Sequence, residues 1–97
     1  MENKEIICAH VFFSGRVQGV FFRRTAAMKA NIAGIKGWIR NLTDGRVEAV
    51  FEGEKEDIEK IIKNIGRGNP FIRVDNRDIV WEEYKGKFDS FDIRHSV

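Results

Sequence analysis

The chain has 97 residues, 42% hydrophobic and 33% charged, a composition that excludes a disordered or low-complexity protein and predicts a single domain over residues 1–97. Lys and Arg exceed Asp and Glu by only two charges, so no nucleic-acid partner is predicted. The single cysteine, Cys8, excludes an intramolecular disulfide, and no long apolar run indicates a signal peptide or membrane span. We therefore expect a cytoplasmic protein without a membrane partner.

The first half of the chain predicts a strand, a helix and a hairpin. Residues 6–13 are rich in β-branched and aromatic types, which is typical of a strand. A glycine-bearing turn follows, and residues 22–33 are good helix formers that stop at Gly34, where a helix C-cap glycine belongs. Residues 35–41 and 46–52 read as two strands joined by the turn signal Thr43-Asp44-Gly45.

The second half predicts one helix and two strands. Isoleucines recur at helical spacing within residues 54–65, opposite a charged face. A strand is expected within residues 77–84, and a short one at 90–94. The order β-α-β-β-α-β plus a terminal β indicates an α+β, ferredoxin-like split βαβ sandwich with two helices on one face of an antiparallel sheet. The residues expected to face the helices are Ala9, Val11, Phe13, Ile39, Val47, Ala49, Phe51, Ile79 and Phe91.

The turn between the first strand and the first helix is a candidate anion site. A helix N-terminus presents unpaired N–H groups and partial positive charge, glycines allow close backbone approach, and an arginine fork matches phosphate oxygens. Arg23 and Arg24 add full charges at this place. On physics alone, an ordinary turn with solvated arginines remains an equal alternative. The candidate phosphate-binding residues are Gly15, Arg16, Val17, Gln18, Gly19 and Val20.

Asn41 is the second candidate, at the end of the second predicted strand. An asparagine before a hairpin usually serves the turn itself. In a split βαβ sheet, however, this strand ends beside the glycine turn, where the amide of Asn41 could hold a water near a bound phosphate.

Two segments resemble the acylphosphatase family. GRVQGVFFR is followed about fifteen residues later by GWIRNLTDGRVEAVFEG, in the family's order and at its spacing, and the resemblance extends to the terminal FDIRHS. It implies a small ferredoxin-like enzyme that hydrolyses the carboxyl–phosphate bond of acyl phosphates. The family's catalytic arginine corresponds to Arg23, its water-orienting asparagine to Asn41, and its phosphate-binding loop to residues 15–20. Arg16 is expected to give electrostatic support to that loop.

The resemblance also implies that the enzyme works without metal or cofactor. We expect it to be a monomer. Its expected partner is a small acyl phosphate, and inorganic phosphate or sulfate is expected to fit the loop. Acetyl phosphate, carbamoyl phosphate and 1,3-bisphosphoglycerate are all permitted, and the sequence does not choose among them. Because an asparagine amide does not titrate, the proton of the attacking water is expected to pass to the substrate phosphate or to solvent.

Two other functions stay open at this point. Ferredoxin-like sheets with exposed aromatic side chains bind RNA in recognition modules, and Phe12 and Trp38 are expected on the open face. The RNP1 pattern is absent, and the net charge is small. A catalytically silent anion-binding or regulatory domain is the second alternative.

Overall fold

The computed structural model describes residues 4–97, so residues 1–3 of the predicted domain lie outside the described part. Two helices and five strands follow in the predicted order. The elements are β1 (Ile6–Arg16), α1 (Phe22–Ala33), β2 (Lys36–Asn41), β3 (Val47–Glu54), α2 (Lys55–Asn64), β4 (Arg73–Glu82) and β5 (Phe91–Ile93).

The five strands form one sheet in the order β4-β1-β3-β2-β5. The first four strands pair antiparallel, as predicted, whereas β5 pairs parallel with β2, so the whole sheet is mixed. The segment after β4 explains this, because it crosses one end of the sheet before β5 begins. Along the way the Lys85 N–H donates to Glu52 Oε2 at 3.2 Å, and the Ser90 carbonyl accepts from the Gly37 N–H at 3.0 Å. The ferredoxin-like fold is confirmed, with a parallel fifth strand at its edge.

β1 is three residues longer than predicted, since it runs to Arg16 rather than ending at Phe13. A bulge between Ser14 and Gly15 shifts the register, and the strand then continues to pair with β4. Gly15 has φ +123°, and a Cβ there would lie 2.2 Å from the Arg73 carbonyl oxygen. Only glycine fits this close approach, so the bulge lets β1 extend to the edge of the candidate site. Because Arg16 pairs with Arg73, β4 begins at Arg73, earlier than the predicted range 77–84.

The core lies between the sheet and the two helices. Eight of the nine residues expected to face the helices are buried, and they pack with isoleucines from α2. Ile79 is the exception, at 37% exposed, because β4 is an edge strand that the helices only partly cover. Arg77, on the same strand, donates from Nε to the Ile62 carbonyl at 2.8 Å and so caps the end of α2. Neither helix of the described chain is long and apolar enough to cross a membrane.

Candidate active site

The ends of β1 and β2 lie side by side at one end of the sheet. Phe13 on β1 pairs with Val47 on β3, and Val47 pairs in turn with Asn41 on β2. Since β1 and β2 run in the same direction, the loop that follows β1 and the hairpin that follows β2 emerge at this same end. We call residues 17–21 the β1–α1 loop and residues 42–46 the hairpin turn.

The β1–α1 loop presents backbone N–H groups without partners. Within the described residues 4–97, no N–H group of residues 17–21 donates to a backbone carbonyl. The helix that follows is also uncapped: its N-cap residue Phe21 makes no side-chain cap bond and has φ 62°, the left-handed region. No acidic residue lies in the first turn of α1. These N–H groups and the helix dipole together form an electropositive cradle suited to an anion.

Two side chains and one backbone carbonyl of the loop hold it in place. Val17 is 1% exposed and belongs to the core. The amide of Gln18 donates both of its hydrogens, to the Leu42 carbonyl and the Arg46 carbonyl, each at 2.8 Å. The Val20 carbonyl accepts from Asn69 Nδ2 at 3.2 Å. The loop is therefore fastened to the hairpin turn on one side and to the α2–β4 connection on the other.

Arg23 lies in the first turn of α1 and is half-buried. It lines a cavity of about 360 Å³ together with Gly19 and Arg24, and Ile93 of β5 closes one side. Arg16, in contrast, is exposed at the end of β1 and is not among the residues that line this cavity. The cavity thus combines loop backbone and two arginine side chains, which is a suitable environment for a phosphoryl group.

Asn41 ends β2 with a free acceptor. Its half-buried side chain has an Oδ1 atom with no hydrogen-bond partner in the described chain. Buried polar atoms are normally paired, so an unpaired acceptor is suited to bind a water or a ligand. Asn41 is not among the residues that line the cavity at Arg23. Leu42, the next residue, receives the Gln18 bond, and the Asn41 carbonyl accepts from the Val97 N–H at 3.0 Å. These bonds bring Asn41 to the border of the β1–α1 loop.

The hairpin turn is stabilised by charge pairs. A hydrogen bond from the Arg46 side chain, with a second from its N–H, holds the pKa of Asp44 below its usual value.

A second group of charges lies on the open face of the sheet. There the buried Glu48 side chain accepts a hydrogen bond from Arg40 Nε at 2.7 Å and lies 2.7 Å from His10 Nε2. Burial alone would raise the pKa of Glu48, but the bonds with His10 and Arg40 outweigh it and lower that pKa.

Other groups with catalytic chemistry lie elsewhere. Cys8 is buried in β1, and burial, followed by the charges of Glu52 and Glu82, raises its pKa to about 11. A thiol that stays protonated is a poor nucleophile. In the part of the chain that the structure describes, no three His, Cys, Asp or Glu side chains are grouped so that they could hold a metal ion.

Sequence reasoning missed three contacts around this site. The side chain of Gln18 fastens the loop to the hairpin turn, and no sequence spacing predicts such a long-range bond. Asn69, in the connection between α2 and β4, holds the Val20 carbonyl. The segment that follows β5 was included only in the family resemblance, and its pairing with β2 and its place in a cavity that Arg23 also lines were not predicted.

Comparisons with known proteins agree with this geometry. The sequence profile of the acylphosphatase family matches residues 9–93. An acylphosphatase of Pyrobaculum calidifontis is 48% identical over 95% of this chain and 84% of its own length. The structure of an acylphosphatase from Coxiella burnetii matches with a TM-score of 0.84 and 34% identity, covering 97% of this chain and 100% of the other. The crystal structure of acylphosphatase from Bacillus subtilis has the same TM-score at 30% identity, over 91% of this chain and 98% of that chain. This chain therefore belongs to the acylphosphatase family of hydrolases.

Proposed function

We propose that this enzyme cleaves the carboxyl–phosphate bond of small acyl phosphates by direct attack of water, with Arg23 and Asn41 as catalytic residues. The observation that carries the proposal is that three kinds of group lie together at one end of the sheet. Unpaired N–H groups of the β1–α1 loop lie beside Arg23, and Asn41 has an unpaired Oδ1 nearby.

The phosphoryl group would be bound by charge and by N–H donors. The N–H groups of residues 17–20, within the expected phosphate-binding segment 15–20, and the N-terminus of α1 would donate to its oxygens. Arg23 would add a bidentate pair and stabilise the charge that grows on the equatorial oxygens in the transition state. Arg16 would contribute only a longer-range field from its exposed position.

Asn41 would orient the attacking water. Its Oδ1 can accept a hydrogen bond from that water, so the water oxygen is aimed at phosphorus. The new O–P bond forms as the bond from phosphorus to the acyl oxygen breaks, and the electron pair leaves with the carboxylate. The amide cannot take the proton, which passes to a phosphate oxygen or to solvent. The carboxylate is a good leaving group, so we expect positioning and charge stabilisation to be sufficient without metal or cofactor.

Hydrolysis of benzoyl phosphate in the presence of EDTA tests this proposal. Wild type should turn over, whereas Arg23→Ala and Asn41→Ala should each lower kcat/KM by about 10²–10³-fold or more, as for loss of a preorganised charge-stabilising or positioning group. Circular dichroism must show both variants folded. Turnover that survives both changes, or a pH–rate limb from a protein base, would contradict the assigned roles.

We further propose that the enzyme is a cytoplasmic monomer and that inorganic phosphate or sulfate occupies the β1–α1 loop as a product-like inhibitor. The uncapped N-terminus of α1 supports the anion site. Competitive inhibition by phosphate, lost in Arg23→Ala, tests the occupancy. Light scattering on the protein as it elutes from a size-exclusion column measures its molar mass and so tests whether it is a monomer.

A further inference from the structure

A second cavity adjoins the phosphoryl site. It has a volume of about 700 Å³, and Arg23 and Ile93 line both cavities. Its remaining walls are Arg40 of β2 and the segment 94–97 that follows β5. Three lining side chains are arginines and none carries a carboxylate. We refer to it as the arginine cavity.

We propose that the arginine cavity binds a second anionic group, a carboxylate or phosphate, at the far end of the substrate's acyl chain. The inference rests on the proposed function, because it requires the phosphoryl group to lie at Arg23. It narrows the substrate class from acyl phosphates in general to those that carry another anion.

Arg94 carries a charge that no carboxylate of the described residues neutralises. Its guanidinium carbon lies 4.7 Å from the centroid of the Trp38 ring and 5.9 Å from that of Phe88. Stacking holds the guanidinium plane while leaving its N–H groups in that plane free to donate.

Arg40, in contrast, is already engaged. It stacks on Trp38 at 5.0 Å, but its Nε donates to Glu48 at 2.7 Å. Both arginines stack on the Trp38 ring. Arg40 is paired with the carboxylate of Glu48, whereas Arg94 is paired with no carboxylate of the described residues. An anion that enters the cavity is therefore expected to bind Arg94.

The backbone beneath Arg94 is fixed relative to the site. The Arg94 N–H donates to the Ile39 carbonyl at 2.8 Å, and the Val97 N–H donates to the Asn41 carbonyl at 3.0 Å. The segment thus extends the parallel pairing of β5 along β2 up to Asn41. A fixed cation next to a reaction site loses little entropy on binding, which is what a specificity subsite requires.

Two matched substrates test the proposal: 4-carboxybenzoyl phosphate and its neutral methyl ester. The quantity compared is the ratio of kcat/KM for the acid to kcat/KM for the ester, at one ionic strength. We expect Arg94→Gln to lower the wild-type ratio about tenfold or more, as for loss of one charge-assisted hydrogen bond. Lys60→Gln, which removes the same charge from the exposed face of α2, should leave the ratio at its wild-type value. Arg94→Lys should restore part of the preference and shows whether charge or the planar fork matters.

The outcomes separate the two proposals. A wild type that hydrolyses both substrates, with the same ratio in Arg94→Gln, overturns the arginine cavity and leaves the proposed function intact. A ratio that falls equally in Lys60→Gln reports net charge alone and also overturns it. No hydrolysis of either substrate by folded wild type overturns the proposed function itself.

Discussion

The two helices of this fold carry opposite charges at their N-termini. In α1 the second and third positions are Arg23 and Arg24, and its first turn contains no acid. In α2 the same two positions are Glu56 and Asp57. An acidic first turn neutralises the positive end of the helix dipole, whereas a basic first turn adds to it. Thus α2 satisfies its own dipole, and α1 leaves its positive end for an anion from outside.

The connection from strand to helix also differs between α1 and α2, and it again favours a ligand at α1. β3 runs straight into α2, and its N-cap residue Glu54 is extended, at φ −69° and ψ 129°. Residues 17–21 separate β1 from α1, and the N-cap residue Phe21 is left-handed. A strand that continues directly into a helix leaves no room for a ligand. The interposed loop provides that room at α1.

The largest expected effect is at Gln18, because the entry to α1 is held by two side-chain hydrogen bonds to the hairpin turn, whereas the side-chain contacts at the entry to α2 are the ion pairs Lys4–Glu54 and Lys55–Glu5. Gln18→Met keeps the size of the side chain and removes both donors to the hairpin turn. We expect kcat/KM for benzoyl phosphate to fall about 100-fold, since a displacement of about 1 Å in a reactive geometry costs that much. Steady-state kinetics and phosphate inhibition measure it.

A control is Asn69→Ala, which removes the single, longer bond from Asn69 to the Val20 carbonyl together with the bond that Asn69 Oδ1 accepts from the Phe71 N–H, and which should cost less kcat/KM. If Gln18→Met lost only thermal stability and kept kcat, Gln18 would be a structural tie without influence on the geometry of the site.

The sequence predicted this contrast only in part. Charge order in the two helices is visible in the sequence, because Arg23 and Glu56 lie at countable positions from each helix start. The two long-range bonds of Gln18 are not visible, since they depend on the register between β2 and β3. The extension of β1 to Arg16 was missed because a bulge at Gly15 looks like a turn in the sequence. The parallel β5 was missed because a strand of three residues carries no sign of its direction.

The hairpin that carries Asn41 has a pH-dependent anchor that neither helix end has, the buried Glu48 opposite Arg40. The folded pKa of Glu48 lies below the unfolded value, so its contribution is present above the unfolded pKa and is lost as pH falls through the folded pKa. Glu48→Gln should lower the free energy of unfolding by about 2 kcal/mol at neutral pH, since half-buried Arg40 loses a charged hydrogen-bond partner.

Urea unfolding of wild type and Glu48→Gln at several pH values measures the effect. The difference between the two proteins should shrink once pH falls below about 4.5, near the unfolded pKa of a glutamate. A difference that stays constant down to pH about 2 would mean that Glu48 acts through packing and not through charge.

Exchanging the charges of the two helix ends sharpens the comparison directly. Arg24→Glu places an acid at the third position of α1, where α2 has Asp57. Phosphate inhibition should weaken about tenfold, while the helix itself gains about 0.3–1 kcal/mol from the acid near its positive end. The reciprocal variant Asp57→Arg should cost α2 a similar amount and leave phosphate inhibition unchanged. Equal loss of inhibition in both variants would show that only net charge matters.

The smallest expected effect concerns the backbone of the two N-caps. Phe21 is 71% exposed and is the only non-glycine residue of the described chain with positive φ, so its side chain gains little from packing and strains the backbone. Phe21→Gly should stabilise the protein by about 0.5–1 kcal/mol, whereas Glu54→Gly, at an extended N-cap, should destabilise it by a similar amount. Urea unfolding compares the two. If both glycines destabilised the protein equally, residue 21 would not be held in the left-handed region. The N–H groups of the β1–α1 loop would then point elsewhere, and the contrast between the two helix ends would rest on charge alone.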